Sequence, residues 1–328
     1  MKVLVTGATG FIGSFAAEFF LSKGYDVRCT IRKSSNLRWV KDKGYELVET
    51  DFESIESLKA AVVDVDYVVH IAGTIAASDY NGYLKGNRDS TFYLLKAIEK
   101  YNPKVKKFLY CSSQTAVGPA KSLSEPVDET TECKPITSYG QSKLEAEKEV
   151  LNFKDMFPIS IVRLPAIYGP RDTALVDMFR LVYKGIAPLI GFGDKYLSLL
   201  YCDDAVEGIY LATISDKADG EIFFLSSQDF YSWDNLIDWM INAIGKKAIK
   251  IRVPTSLVYV AGFLSENIGK IFGKTPVFNL EKARDFTQKY WICSGAKAQS
   301  ILGFKQKVHH EEGFKLTFRW YLENGWIK

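Results

Sequence analysis

Near its start the chain drives a β-branched run into a glycine turn and then into a helical pattern: Val3-Leu4-Val5-Thr6-Gly7-Ala8-Thr9-Gly10-Phe11-Ile12-Gly13. Lys2–Thr6 reads as a strand and Phe11–Ser22 as an amphipathic helix. A strand that enters a helix in this way needs a crossover back to a parallel neighbour. The following sequence repeats the pattern. Asp26–Ile31, Leu47–Thr50, Tyr67–Ile71, Lys107–Cys111 and Ile159–Leu164 read as strands, with Tyr83–Lys100 and Ser138–Asn152 as helices. The alternation predicts an α/β fold with a doubly wound parallel sheet, helices covering both faces.

Gly7 suits the tight turn, Gly10 lets the backbone approach a pyrophosphate, and Gly13 allows close helix–sheet packing. The helix end then offers free N–H groups and a positive dipole to phosphate. The spacing is GxxGxxG rather than GxGxxG, and its place at the first strand–helix junction supports a dinucleotide. After the second strand, where NAD enzymes usually carry an acid, stands Thr30-Ile31-Arg32-Lys33-Ser34-Ser35. Arg32 and Lys33 would grip a 2′-phosphate, so NADP is expected, with NAD possible.

Tyr139 and Lys143 lie four residues apart in a helical segment, hence on one face. A nearby ammonium favours the phenolate, so Lys143 is expected to tune Tyr139 for acid–base work. Ser113 ends the strand that begins near Lys107, at the edge where open α/β sheets hold ligands. Its hydroxyl would hold a reacting oxygen; Ser112 is the competing choice.

Together these pieces make the chain resemble the extended short-chain dehydrogenase/reductases, the NAD-dependent epimerase/dehydratase family. The resemblance runs from the glycine loop through His70-Ile71-Ala72-Gly73, Ser112-Ser113, Tyr139 and Lys143. It continues through Arg163-Leu164-Pro165-Ala166-Ile167-Tyr168-Gly169-Pro170 and Tyr201-Cys202-Asp203-Asp204-Ala205 to the terminus. It implies a Rossmann domain at 1–170 and a smaller C-terminal substrate-binding lobe at 171–328, with about 197–230 returning to the Rossmann sheet. It implies cofactor contacts at Gly7, Thr9, Gly10, Phe11, Ile12 and Gly13, at Asp51 and Phe52 beside the adenine, and at Ala72 and Gly73. Lys143 on the ribose, and Pro165 and Ile167 beside the nicotinamide, complete that set. It also implies a homodimer through the segments Tyr83–Lys100 and Ser138–Asn152.

Departures from the family pattern narrow the chemistry. Dehydratases carry an Asp-Glu pair after the catalytic hydroxyl; this chain has Gln114-Thr115, which disfavours loss of water. Where nucleotide-sugar enzymes place a diphosphate-binding arginine, an approximate alignment puts Tyr196, with Lys195 as the substitute. The segments Gly191–Asp204 and Pro165–Asp172 resemble the 3β-hydroxysteroid dehydrogenase and dihydroflavonol reductase branch. The expected activity is an NADP(H)-dependent oxidoreductase acting on a secondary alcohol or ketone of a small, fairly hydrophobic molecule. A nucleotide-sugar epimerase using the same Ser-Tyr-Lys set is the alternative, and an NADP-sensing regulator the alternative of another class.

Several features argue for what is absent. The net charge of +3 carries no concentrated basic patch, which speaks against nucleic acid. The five cysteines are scattered and the histidines form no ligand cluster, so no metal is expected. No run approaches a spanning helix; the apolar stretch Val253–Ser265 reads as a core helix or a membrane contact. With no signal-peptide pattern at Met1, a cytoplasmic location is expected. Asp203 and Asp204 suit structural roles, and His70 a satisfied core position. Aromatics make up 14% of the chain, many of them late, and suggest an apolar substrate.

Overall fold

The computed structural model describes residues 1–271 and 278–328. Seven parallel strands form the central sheet. In chain order they are β1 (Lys2–Thr6), β2 (Asp26–Ile31), β3 (Glu46–Glu49), β4 (Tyr67–His70), β5 (Lys107–Ser113), β6 (Ile159–Leu164) and β7 (Glu221–Phe224). Across the sheet the order is β7-β6-β5-β4-β1-β2-β3. β1 pairs with β2 on one side and β4 on the other, so the order reverses there and leaves a crevice at the strand ends. Two apolar layers cover the faces. One packs Phe20, Val27 and Phe223 under the first helix, the other Leu58, Leu94, Phe108 and Val150. The doubly wound α/β reading is what the sheet shows.

The expected helix Tyr83–Lys100 is broken into Tyr80–Leu84, a π turn at Lys85–Asp89, and Ser90–Tyr101. The wide turn coincides with Asn87 reaching inward. Its amide accepts from the Thr74 N–H (2.8 Å) and donates to the Thr74 carbonyl (3.0 Å). Helical periodicity alone carries no sign of such a bulge.

Outside the central sheet, the chain after β6 pairs in short pieces. Ala166–Tyr168 pairs with Leu199–Tyr201, Ile186–Ile190 with Ile249–Val253, and Tyr196–Leu197 with both Tyr231–Ser232 and Tyr290–Trp291. Of the segment 197–230, only β7 enters the central sheet, while the helix Cys202–Ile214 covers its face. Asp203 and Asp204 lie in the first turn of that helix. Asp204 accepts from the N–H groups of Lys307 (3.0 Å) and Val308 (3.1 Å), a structural clasp. The late aromatics have an interior role: Tyr168, Phe179, Phe314 and Tyr321 are fully buried in one cluster with Phe318. They account for much of the composition without reference to substrate.

Candidate active site

The crevice at the sheet reversal holds a cavity of about 430 Å³. Gly7, Thr9, Gly10, Phe11, Ile12 and Gly13 line one end, Tyr139 and Lys143 the other. Arg32, Phe52, Ala72 and Gly73 also line it, whereas Lys33, Asp51, Ser113, Pro165 and Ile167 lie outside that wall. A Cβ added to Gly13 would stand 2.1 Å from the Gly7 carbonyl oxygen, so only glycine lets the helix start this close to the loop. The helix has no side-chain cap and no acid in its first turn. Such an end leaves backbone N–H groups and a positive dipole for an anion. The residues present therefore fit a dinucleotide.

Arg32 opens the turn after β2. Its N–H donates to Ser35 Oγ (2.9 Å), and the Ser35 N–H returns to the Arg32 carbonyl (2.9 Å). The turn is thus self-braced, with the guanidinium exposed at the cavity. Asp51 is held in a turn of its own, its carboxylate accepting from the Glu53 N–H (2.9 Å).

At the other end, Thr137 caps the helix Ser138–Leu151 by accepting from the Gly140 N–H (3.1 Å). Gly140 presses against the turn after β5, where a Cβ would meet the Thr115 carbonyl at 2.3 Å. This close approach brings Tyr139 to Ser113. Ser113 Oγ accepts from both the Thr115 N–H (3.2 Å) and the Thr115 hydroxyl (2.9 Å). Its own proton is then available to donate, toward Tyr139 or a ligand oxygen. Ser112, in contrast, faces the cavity with a buried hydroxyl that has no partner among the described residues.

Burial drives the Tyr139 phenol up to about 12, and the hydrogen bond with Ser113 pulls it back. Burial also lowers Lys143, to about 8. The Lys143 ammonium donates to the Cys111 carbonyl (2.6 Å) and lies 4.3 Å from the Tyr110 ring centroid. Its hydrogen bond goes to the β5 backbone, and burial is the largest influence on the phenol.

Two residues of the site were missed in the sequence, Asn87, which lines the cavity, and Thr115. Asn87 Nδ2 donates to Ser142 Oγ (2.9 Å), whose hydroxyl donates to the Tyr139 carbonyl (2.8 Å). Thr115 braces Ser113 as described. Neither belongs to a spaced pattern; the only hint was Gly140, a glycine inside a helix. His70 is fully buried between Thr6 and Thr91. Thr6 Oγ1 accepts from the Ile71 and Ala72 N–H groups, so it gives its proton to His70 Nδ1 (2.7 Å). His70 Nε2 then donates to Thr91 (2.9 Å), and burial lowers its pKa to about 3, keeping it neutral. Among the described residues, no group of His, Cys, Asp and Glu could hold a metal ion, and no helix is long and apolar enough to cross a membrane.

Comparison with known proteins agrees with this geometry. The family model described as NAD dependent epimerase/dehydratase family matches residues 3–225. A ceramide reductase of Caulobacter vibrioides is 25% identical, covering 99% of this chain and 96% of the relative. A UDP-glucose 4-epimerase of Vibrio cholerae is 26% identical, covering 98% and 96%. The solved structure of a Thermus thermophilus UDP-glucose 4-epimerase in complex with NAD superposes with a TM-score of 0.79 at 22% identity, covering 98% of this chain and 99% of that one. This last likeness is one of fold.

Proposed function

The chain belongs to the NAD-dependent epimerase/dehydratase family and is an NAD(P)-dependent enzyme, and from that premise we propose that it is an NADP(H)-dependent oxidoreductase interconverting a secondary alcohol and a ketone on a small, fairly hydrophobic substrate. The observation that carries the reading is Tyr139 and Lys143 lining the end of the crevice whose other end the glycine loop forms. When bound, the nicotinamide supplies or accepts the hydride. In the reducing direction Tyr139, protonated at neutral pH, gives its proton to the carbonyl oxygen. Ser113, with both acceptor sites engaged by Thr115, directs its proton at the same oxygen and stabilises the charge that develops there. Lys143, anchored to β5 through the Cys111 carbonyl, would hold the cofactor ribose.

One feature speaks against a dehydratase, and two favour this over a nucleotide-sugar epimerase. Gln114 and Thr115 supply no acid–base pair for elimination. Lys195, the candidate for a diphosphate, is buried and donates to the carbonyls of Thr287 and Gln288. The relatives include a ceramide reductase, named for a lipid substrate. Arg32 at the cavity supports NADP, since a guanidinium matches a 2′-phosphate bidentately. A homodimer through the helices Ser90–Tyr101 and Ser138–Leu151, and a cytoplasmic location, belong to the same reading.

The test is turnover of steroid-like, flavonoid-like and nucleotide-sugar carbonyls with NADPH and NADH side by side. Stoichiometric NADPH consumption with an apolar ketone is the expected result. Tightly held cofactor with no net consumption, and interconversion of a sugar epimer, would replace the reading with an epimerase.

A further inference from the structure

His70 ends β4 and is fully buried, yet no step of the proposed reaction uses it. Its neighbours are rings. Phe52 stacks on it with 6.1 Å between centroids, and Phe108 and Tyr110 lie at 5.9 and 5.7 Å. An apolar side chain would fill such a place at lower cost, because a buried imidazole needs partners for both nitrogens. What the imidazole adds is an acceptor on one edge and a donor on the other.

Both edges are used, and in one direction. Thr6 ends β1, directly before Gly7, and its hydroxyl accepts from the Ile71 and Ala72 N–H groups (3.1 Å each). Its proton therefore goes to His70 Nδ1 (2.7 Å). His70 Nε2 donates to the Thr91 hydroxyl (2.9 Å), and that hydroxyl donates to the Asn87 carbonyl (2.6 Å). Asn87 stands at the middle of the π turn Lys85–Asp89, a widening frequent at functional sites.

From Asn87 the chain of hydrogen bonds reaches two sides of the crevice. The Asn87 amide holds the Thr74 N–H (2.8 Å) and carbonyl (3.0 Å), and it donates to Ser142 (2.9 Å) in the Tyr139 helix. The fit is close: a Cβ added to Gly73, which lines the crevice, would stand 2.6 Å from Asn87 Oδ1. One ring thus backs Phe52 directly, reaches Ala72 through Thr6, and reaches the helix of Tyr139 and Lys143 through Thr91 and Asn87. Phe52, Ala72, Tyr139 and Lys143 all line the crevice.

We propose that His70 is a positioning residue for the cofactor: through Thr6 it sets Ala72, and through Thr91 and Asn87 it sets both Thr74 and the Tyr139 helix, so that the walls of the crevice keep one spacing. The proposal rests on the family's cofactor and not on the reductase reading.

The full chain is titrated with NADPH and with NADH by fluorescence. His70→Phe keeps a ring but leaves the Thr6 proton and the Thr91 oxygen unpaired, and should weaken the tighter-bound cofactor by about tenfold. His70→Gln, which again offers an acceptor and a donor, should recover most of that loss. Thr91→Val interrupts the same chain and should weaken binding by about fivefold. Because both residues act along one chain, the double variant should bind no worse than the weaker single one. Asp204→Ala, which opens the clasp at Lys307 and Val308, is the control. Its melting temperature should fall while cofactor affinity is kept. Unchanged affinity in both His70→Phe and Thr91→Val overturns the proposal. So do losses that add in the double variant, a glutamine variant as weak as the phenylalanine one, or an equal loss in Asp204→Ala. Should His70→Phe fail to fold, Thr91→Val carries the test, and full affinity there overturns the proposal.

Discussion

Tyr139 and Lys143 share a helix face but make different commitments. The lysine gives its hydrogen bond to the Cys111 carbonyl, while the phenol is shaped by burial and by Ser113. Tyr139 therefore begins as an acid, which suits reduction. Tyr139→Phe should lower kcat by about 100-fold or more while cofactor affinity, read by fluorescence titration, is retained. Equal loss of cofactor binding would make the residue structural. Lys143 gives a second prediction. Its pKa in the fold is about 8, against 10.5 ordinarily, because burial penalises the charged form. Between those values the unfolded chain binds the extra proton, so this group's contribution to stability rises with pH across that window. The melting-temperature difference between wild type and Lys143→Met should therefore shift in favour of the wild type from pH 8 upward. A pH-independent difference would show that the lysine does not titrate there. Over the same range the reductive kcat/KM should fall, as the charged floor of the crevice is lost.

At the scale of elements, the sequence showed what depends on spacing and hid what depends on approach. The glycine loop, the strand ends and the Tyr139–Lys143 face follow from local periodicity. The π turn at Asn87, the brace by Thr115 and the contact of Gly140 with that turn arise between segments distant in sequence, where no periodic signal exists. The same holds for the pair that fixes the Tyr139 helix to β6. Arg163 meets Glu147 in a bidentate contact (3.0 and 2.8 Å), with both side chains almost fully buried. Glu147→Ala leaves a buried guanidinium without its counter-charge and should cost about 3–5 kcal/mol in denaturant unfolding. Replacing both residues by methionine should recover most of that loss. A single-variant cost below about 1 kcal/mol would mean that water reaches the pair.

For the whole molecule, the sheet and its reversal were readable from the sequence, whereas the region after it, implied by the resemblance as a smaller lobe, was not legible in its pairings. Its strands are two to five residues long, and its core is a knot of aromatic rings gathered from residues 168 to 321. Those rings fill an interior, so the substrate's polarity must be argued from the site and not from composition. What ties this region to the first helix is equally non-local. Arg171, just past the Rossmann segment, forks onto Glu18 of the first helix (2.9 and 3.0 Å) and donates to Ser14 Oγ (3.0 Å). Its guanidinium also lies within 4.7 Å of the ring centroids of Phe15 and Trp39. Its backbone is left-handed, φ 71°, where a side chain is disfavoured. A clamp kept at a strained position makes two substitutions informative together. Arg171→Ala should cost about 2–3 kcal/mol, losing the fork and stacking while keeping the strain. Arg171→Gly loses the same contacts but suits a left-handed backbone, so it should be less damaging than alanine by about 0.5–1 kcal/mol. Denaturant midpoints of the two variants decide the matter. If alanine proves the milder change, backbone strain is not what the arginine overcomes. If both match the wild type, apolar contact alone holds this region to the first helix.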